Sequence, residues 1–157
     1  MQLTSSSFQP GGEIPDHYSS DGENASPELS WEDSPSETKS FALIVHDPDA
    51  PRPGGFTHWV VYNIPPETGH IRENVPDTER VTGLGMQGKN DRGTMGYMGP
   101  APPSGTHRYF FSLYALNAML DLGVGATAKG VKDAIQGHIL AQAELMGTYT
   151  NKRERAA

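Results

Sequence analysis

Phe41-Ala42-Leu43-Ile44-Val45-His46-Asp47-Pro48-Asp49-Ala50-Pro51 is the stretch on which the reading of this chain turns. Its first five residues are all apolar. A strand sends successive side chains to opposite faces, so the run predicts a central strand buried on both. Two carboxylates around a proline then interrupt the apolar pattern. Working outward, Trp59-Val60-Val61-Tyr62-Asn63-Ile64 reads the same way and stops at Pro65-Pro66. Tyr109-Phe110-Phe111-Ser112-Leu113-Tyr114-Ala115-Leu116 is a third strand, rich in aromatic side chains. Glycine (18) and proline (13) make up about a fifth of the 157 residues and punctuate the apolar runs, as many short strands joined by turns require. Ser26-Pro27 to Trp31 and Pro65 to Gly69 read as turns. One helix is predicted from Lys129 onward, where Val131, Ile135, His138, Ile139, Gln142 and Leu145 fall near one face. Thr127 is its expected cap and Gly147 its expected end. The glycines of residues 82–106 predict a long ordered loop, and Arg153 to Ala157 are expected to fray.

The expected organisation is mainly β, with residues 1–157 forming one domain, since no repeat or linker divides the chain. A domain of this size hides roughly 70% of the surface its unfolded chain exposes, so a core needs no staples. Cysteine is absent, which removes disulfides, thiolate ligands and a thiol nucleophile and fits a reducing compartment. No stretch approaches the ~20 apolar residues of a membrane span. Met1-Gln2-Leu3-Thr4-Ser5-Ser6-Ser7 lacks the features of a secretory signal, so a cytoplasmic location is expected. The sequon Asn24-Ala25-Ser26 then reads as a loop. The formal charge is −7 with scattered basic residues, which argues against nucleic acid and anionic membranes as partners.

Gly83-Leu84-Gly85-Met86-Gln87-Gly88-Lys89-Asn90 matches two phosphate-loop patterns. Both need a buried strand before the loop and a helix after it. Arg80-Val81-Thr82 is a poor strand, Asp91-Arg92-Gly93 stands where the helix should begin, and Asn90 lacks the magnesium-binding hydroxyl. The nucleotide reading is rejected in favour of tight glycine turns.

Chemistry concentrates where titratable residues interrupt apolar strands: Asp47-Pro48-Asp49, His58 before Trp59, and His107-Arg108-Tyr109. Strand positions i and i+2 share a face about 7 Å apart, which pairs His107 with Tyr109. Extended Pro48 is expected to place Asp47 and Asp49 on one side. If the three strands are neighbours, these polar ends converge at one sheet edge. An aspartate that accepts from one imidazole nitrogen leaves the other to face outward. Tyr109 adds a hydroxyl, backbone N–H groups near Gly99 add donors, and Pro48, Pro51, Phe56 and Pro100 supply apolar walls. Such a set holds the oxygens of a phosphate or carboxylate. Each residue also has an ordinary reading as a turn or strand-end residue, and for His17, His70 and His138 that reading leads. Arg108 points away from His107 and is expected in an ion pair. The chemical rival is a metal site built from the two aspartates and two histidines. A G-x-S-x-G elbow is missing, and Asp47 and Asp49 are too close in sequence to flank a sugar.

These segments resemble the phosphatidylethanolamine-binding protein family, also called Raf kinase inhibitor-like proteins. The residues that carry the resemblance are Asp47-Pro48-Asp49-Ala50-Pro51, His58-Trp59, Asn63-Ile64-Pro65, Gly99-Pro100, Pro102-Pro103-Ser104-Gly105 and His107-Arg108-Tyr109 with Phe111. Asp21-Gly22, Ser26-Pro27 and Leu29-Ser30-Trp31 resemble its N-terminal region, and the likeness, closest to the bacterial and archaeal branch, runs from about Phe8 to Tyr149. It implies an antiparallel β-sandwich or β-roll with a few peripheral helices. It also implies a small anion pocket of Asp47, Asp49, His58, His107 and Tyr109, with Gly99 and Pro100 on its rim. Ser20 stands where many relatives have cysteine, and Phe56 replaces a tryptophan beside the short Arg52-Pro53-Gly54-Gly55 connection.

The leading expectation is a regulatory protein that binds a small anion, such as phosphate, a phospholipid headgroup or a carboxylate, with no catalysis and no cofactor. The alternatives are a protease or kinase inhibitor acting through its surface, and a metal-dependent hydrolase. A kinase or protease partner and a homodimer are further expectations.

Overall fold

The apolar run Phe41–Val45 lies at the centre of the molecule and is fully enclosed on both sides. The structure, a computed structural model, describes residues 1–155. Along the chain the strands are β1 (Gln2–Thr4), β2 (Leu29–Glu32), β3 (Ser40–Asp47), β4 (Phe56–Ile64), β5 (His70–Ile71), β6 (Arg80–Val81), β7 (Gly85–Gln87), β8 (Thr106–Leu116) and β9 (Ile139–Thr150). One helix, α1 (Ala128–Ala134), precedes β9. Six strands pair antiparallel in the order β6-β7-β4-β3-β8-β9, and β1-β2-β5 form a second, smaller antiparallel sheet. The fold is therefore mainly β, an antiparallel sandwich.

Strand parity explains why the central strands are apolar throughout. Phe41, Leu43 and Val45 join Trp59, Phe111 and Leu113 in the core shared with Leu3, Leu29 and Trp31 of the small sheet. Ala42 and Ile44, facing the other way, pack with Val60, Tyr62 and Leu116 beneath Val131 and Ile135 of α1 and its flanks. Each fully buried side chain of this kind stabilises by about 1.5–3 kcal/mol over exposure.

The predicted helix is shorter than expected. Thr127 Oγ1 does accept from the Gly130 N–H as its cap, but α1 ends at Ala134, and Gly137 takes φ +81° in the turn that follows. Ile139, Gln142 and Leu145 lie in β9, where Ala143, Leu145, Gly147 and Tyr149 alternate inward. The helical spacing was a coincidence of two adjoining patterns, and pairing with β8 from Thr106–Thr150 to Leu116–Ile139 overrides it. Gly147 ends nothing: a Cβ there would stand 2.7 Å from Ile14 and 2.8 Å from Phe8.

The glycine-rich span 82–106 is mostly loop, with β7 inside it. No helix follows Gly83–Asn90, and Asn90 is spent on Thr94 and the Gly96 carbonyl. Of the tail expected to fray, Ala156 and Ala157 lie outside the described residues. Lys152–Glu154 form a short 3-10 turn, and the Arg155 guanidinium lies over the Tyr149 ring and pairs with Asp16 at 2.9 Å. No helix among the described residues is long and apolar enough to cross a membrane.

Candidate functional site

Because β4, β3 and β8 are adjacent, the polar ends of all three do meet at one edge of the main sheet. β3 delivers Asp47 at its last position, β8 delivers His107 and Tyr109 near its start, and β4 delivers His58. His58 arrives by an irregularity. Val45 pairs with Trp59 and His46 with Thr57, so His58 is the extra residue of a β-bulge, a device that re-aims a side chain.

Four groups assemble there. His107 Nδ1 donates to Asp47 Oδ2 at 2.6 Å, and both residues are buried. That bond turns the imidazole so that Nε2 is the nitrogen left free. Asp47 Oδ1 accepts from the Asp49 N–H at 2.8 Å, which starts the turn after β3. His58 Nδ1 donates to the Met98 carbonyl at 2.6 Å, again leaving Nε2 free. The Tyr109 ring meets His58 edge-on at 5.2 Å, and the residue is 1% exposed with its hydroxyl unpartnered. These four side chains line a cavity of about 180 Å³. Its walls include Pro51, Phe56, Met98, Pro102 and Pro103, and Arg52 lies at its side with its guanidinium 5.4 Å from the centre of the Phe56 ring.

Burial pushes the His58 imidazole below its ordinary value, with the Met98 carbonyl and Asp47 pulling the other way, so the ring is neutral near pH 7. Burial, with Asp47 adding to it, pushes the Tyr109 phenol far up, which keeps its proton on. The pocket therefore holds a phenol donor together with imidazole nitrogens.

Three expected members are not in it. The Asp49 carboxylate turns to Arg108, accepting from its N–H, Nε and Nη2 at 2.9 Å each. Arg108 thereby holds the Asp49 carboxyl down at about 2. The same-side argument for Asp47 and Asp49 fails because β3 ends at Asp47 and the chain turns on that carboxylate. Gly99 is committed elsewhere: its N–H donates to Asn24 Oδ1 at 2.7 Å and its carbonyl accepts from Ser20 at 2.9 Å. A Cβ at Gly99 would stand 2.3 Å from the Tyr18 carbonyl, so the glycine serves the packing of two loops. Pro100 does not line the cavity but borders an adjoining crevice too small for water, which it shares with His58, Met98 and Tyr109. Pro48 is not among the wall residues either. With Asp49 turned away, the metal set does not assemble, and no three His, Asp or Glu side chains among the described residues are grouped to hold an ion. His17 pairs with Glu23, His70 with Glu28, and His138 with Asn117, all away from the pocket.

Sequence reasoning missed Met98 and the position of Arg52. Met98 acts through its carbonyl, which no residue type signals, whereas a lone arginine beside an aspartate-proline turn was a usable sign.

An antiparallel sandwich with an Asp–His pair, a second buried histidine and a tyrosine at one sheet edge defines the class of protein. The sequence matches the profile of the phosphatidylethanolamine-binding protein family over residues 4–150. A UPF0098 protein of Methanothermobacter thermautotrophicus is 53% identical over 149 residues, covering 95% of this chain and 98% of the relative. One from Aquifex aeolicus is 50% identical over 152 residues, covering 95% and 88%. The crystal structure of a phosphatidylethanolamine-binding protein homologue from Chlamydia trachomatis superposes with a TM-score of 0.88 at 42% identity, covering 96% of this chain and 97% of the other. Escherichia coli YbcL, described as a member of the mammalian family, gives 0.85 at 32% identity, covering 96% and 98%. The chain belongs to the phosphatidylethanolamine-binding protein family.

Proposed function

We propose that the protein binds a small anion, a phosphate, phosphate monoester headgroup or carboxylate, in the pocket of Asp47, His58, His107 and Tyr109, and that it does so in a regulatory role. The observation that carries this reading is the buried Tyr109 hydroxyl without a partner, in a cavity also lined by two histidines whose Nε2 atoms are free. A buried polar group left unpaired is costly, and an anionic oxygen would relieve it. Arg52 adds positive charge beside the cavity of a chain whose net charge is −7.

Binding is coupled to protons. Burial keeps His58 neutral near pH 7, so for Nε2 to donate to an anion it must take up a proton. Affinity then falls as pH rises, by up to ~10-fold per unit for one linked proton. Besides the anion, the charged groups acting on His58 are Asp47, Asp91 and His46. Calorimetric titration with inorganic phosphate on both sides of about pH 6.5 tests this. Weaker binding at the higher pH is the expected result; no binding at either pH overturns the reading.

A further inference from the structure

A site made only to retain an anion would meet it with donors, yet the cavity here is lined by two histidines with unpaired Nε2 atoms and by a single phenol. His107 Nε2 is backed across its ring by the buried Asp47 carboxylate, so a proton gained at Nε2 meets a compensating charge already in place. Tyr109 follows two residues along the same strand face with its hydroxyl unspent. No serine, threonine or cysteine lines the cavity, so a nucleophile acting there is water. We propose that this pocket hydrolyses esters of small carboxylic acids, with His107 as general base and Tyr109 as the donor to the oxyanion.

Water sits between the imidazoles, one O–H toward His107 Nε2 and the other toward His58 Nε2. Its first O–H bond breaks as the oxygen bonds to the acyl carbon, and that proton passes to His107. The carbonyl electron pair moves onto oxygen, which accepts from the Tyr109 hydroxyl. The carbon–oxygen bond to the alcohol then breaks, and the departing oxygen takes the proton back from His107. Ester and water become acid and alcohol, with no electron transfer and no further reactant. The cavity of about 180 Å³ has room for roughly six waters, so the acyl group is limited to a few carbons. The product carboxylate is the kind of anion that the binding reading puts in the pocket. The proposal shares that site but adds an activity to it.

The test uses the full chain with p-nitrophenyl acetate and p-nitrophenyl octanoate. Saturable hydrolysis that prefers the acetate is expected, with phosphate as a competitive inhibitor. His107→Asn is expected to lower kcat/KM about 100-fold and Tyr109→Phe at least about 10-fold, as for loss of a general base and an oxyanion donor. His17→Asn, at a half-exposed residue that does not line the cavity, leaves the rate unchanged. Tyr109→Phe keeps the ring and its packing, so it decides the matter should His107→Asn fail to fold. Hydrolysis that does not saturate, or that survives Tyr109→Phe at full rate, overturns the proposal. Phosphate binding without hydrolysis removes this inference and leaves the binding reading standing. Hydrolysis dependent on His107 and Tyr109 without phosphate binding does the reverse.

Discussion

His58 and Trp59 are consecutive residues of β4, both buried, and the structure treats their polar atoms in opposite ways. Trp59 Nε1 donates to Gln87 Oε1 at 2.7 Å, and the Gln87 amide nitrogen donates in turn to the Pro76 and Thr78 carbonyls at 2.7 and 2.8 Å. Every side-chain polar atom of Trp59 and Gln87 is used. One residue back, His58 spends Nδ1 on the Met98 carbonyl and keeps Nε2 free beside the unpartnered Tyr109 hydroxyl. Trp31 Nε1 and Arg155 Nε also lack partners, but of these three residues only Tyr109 lines the cavity beside His58 and His107. A saturated polar cluster stabilises a fold, whereas an unsaturated one facing a cavity holds capacity for a ligand. The bulge at His58 separates the two.

That contrast can be broken from either side. The largest expected effect is on the saturated side. Gln87→Leu strands the Trp59 N–H and two carbonyls in the interior and is expected to cost about 3 kcal/mol in urea unfolding, at 1–3 kcal/mol per stranded group with partial relaxation. A loss under about 1 kcal/mol would show that the cluster is not what holds β7 to β4. On the pocket side, Tyr109→Phe removes a buried, unpaired hydroxyl, so stability is expected to rise by about 1 kcal/mol while phosphate affinity falls about 5-fold. Equal losses in both would mean that the hydroxyl is structural. The smallest effect concerns the displaced carboxylate. Asp49→Asn should leave phosphate affinity within about 2-fold, because its bonds go to Arg108, a pair too exposed to contribute much. A larger drop would return Asp49 to the binding set.

How much of this was legible in the sequence follows from where periodicity is unambiguous. Residues 41–45 and 59–64, apolar on both parities, read as central strands, and 109–116 as a third strand rich in aromatic side chains. β9 was not legible because Val131, Ile135 and Ile139 happen to continue a helical spacing across the Gly137 turn, and only pairing with β8 settles the conflict. In the pocket, His107 and Tyr109 followed from parity within one strand, and Asp47 and His58 from their places where a titratable residue interrupts an apolar strand. Asp49, Gly99 and Pro100 do not line the cavity, because their positions depend on where the chain turns and which loop it touches. A bulge leaves no mark on residue types, and a carbonyl anchor leaves none at all.

The anchor of His58 has a consequence for how such a pocket can diversify. Met98 contributes two separable things, a carbonyl that sets which imidazole nitrogen carries the proton and a side chain that forms part of the wall. Since every amino acid brings the same carbonyl, position 98 can change in size or polarity and reshape the opening without altering the protonation of His58. Ligand choice and proton handling are thus divided between atoms that mutation reaches and an atom that it does not.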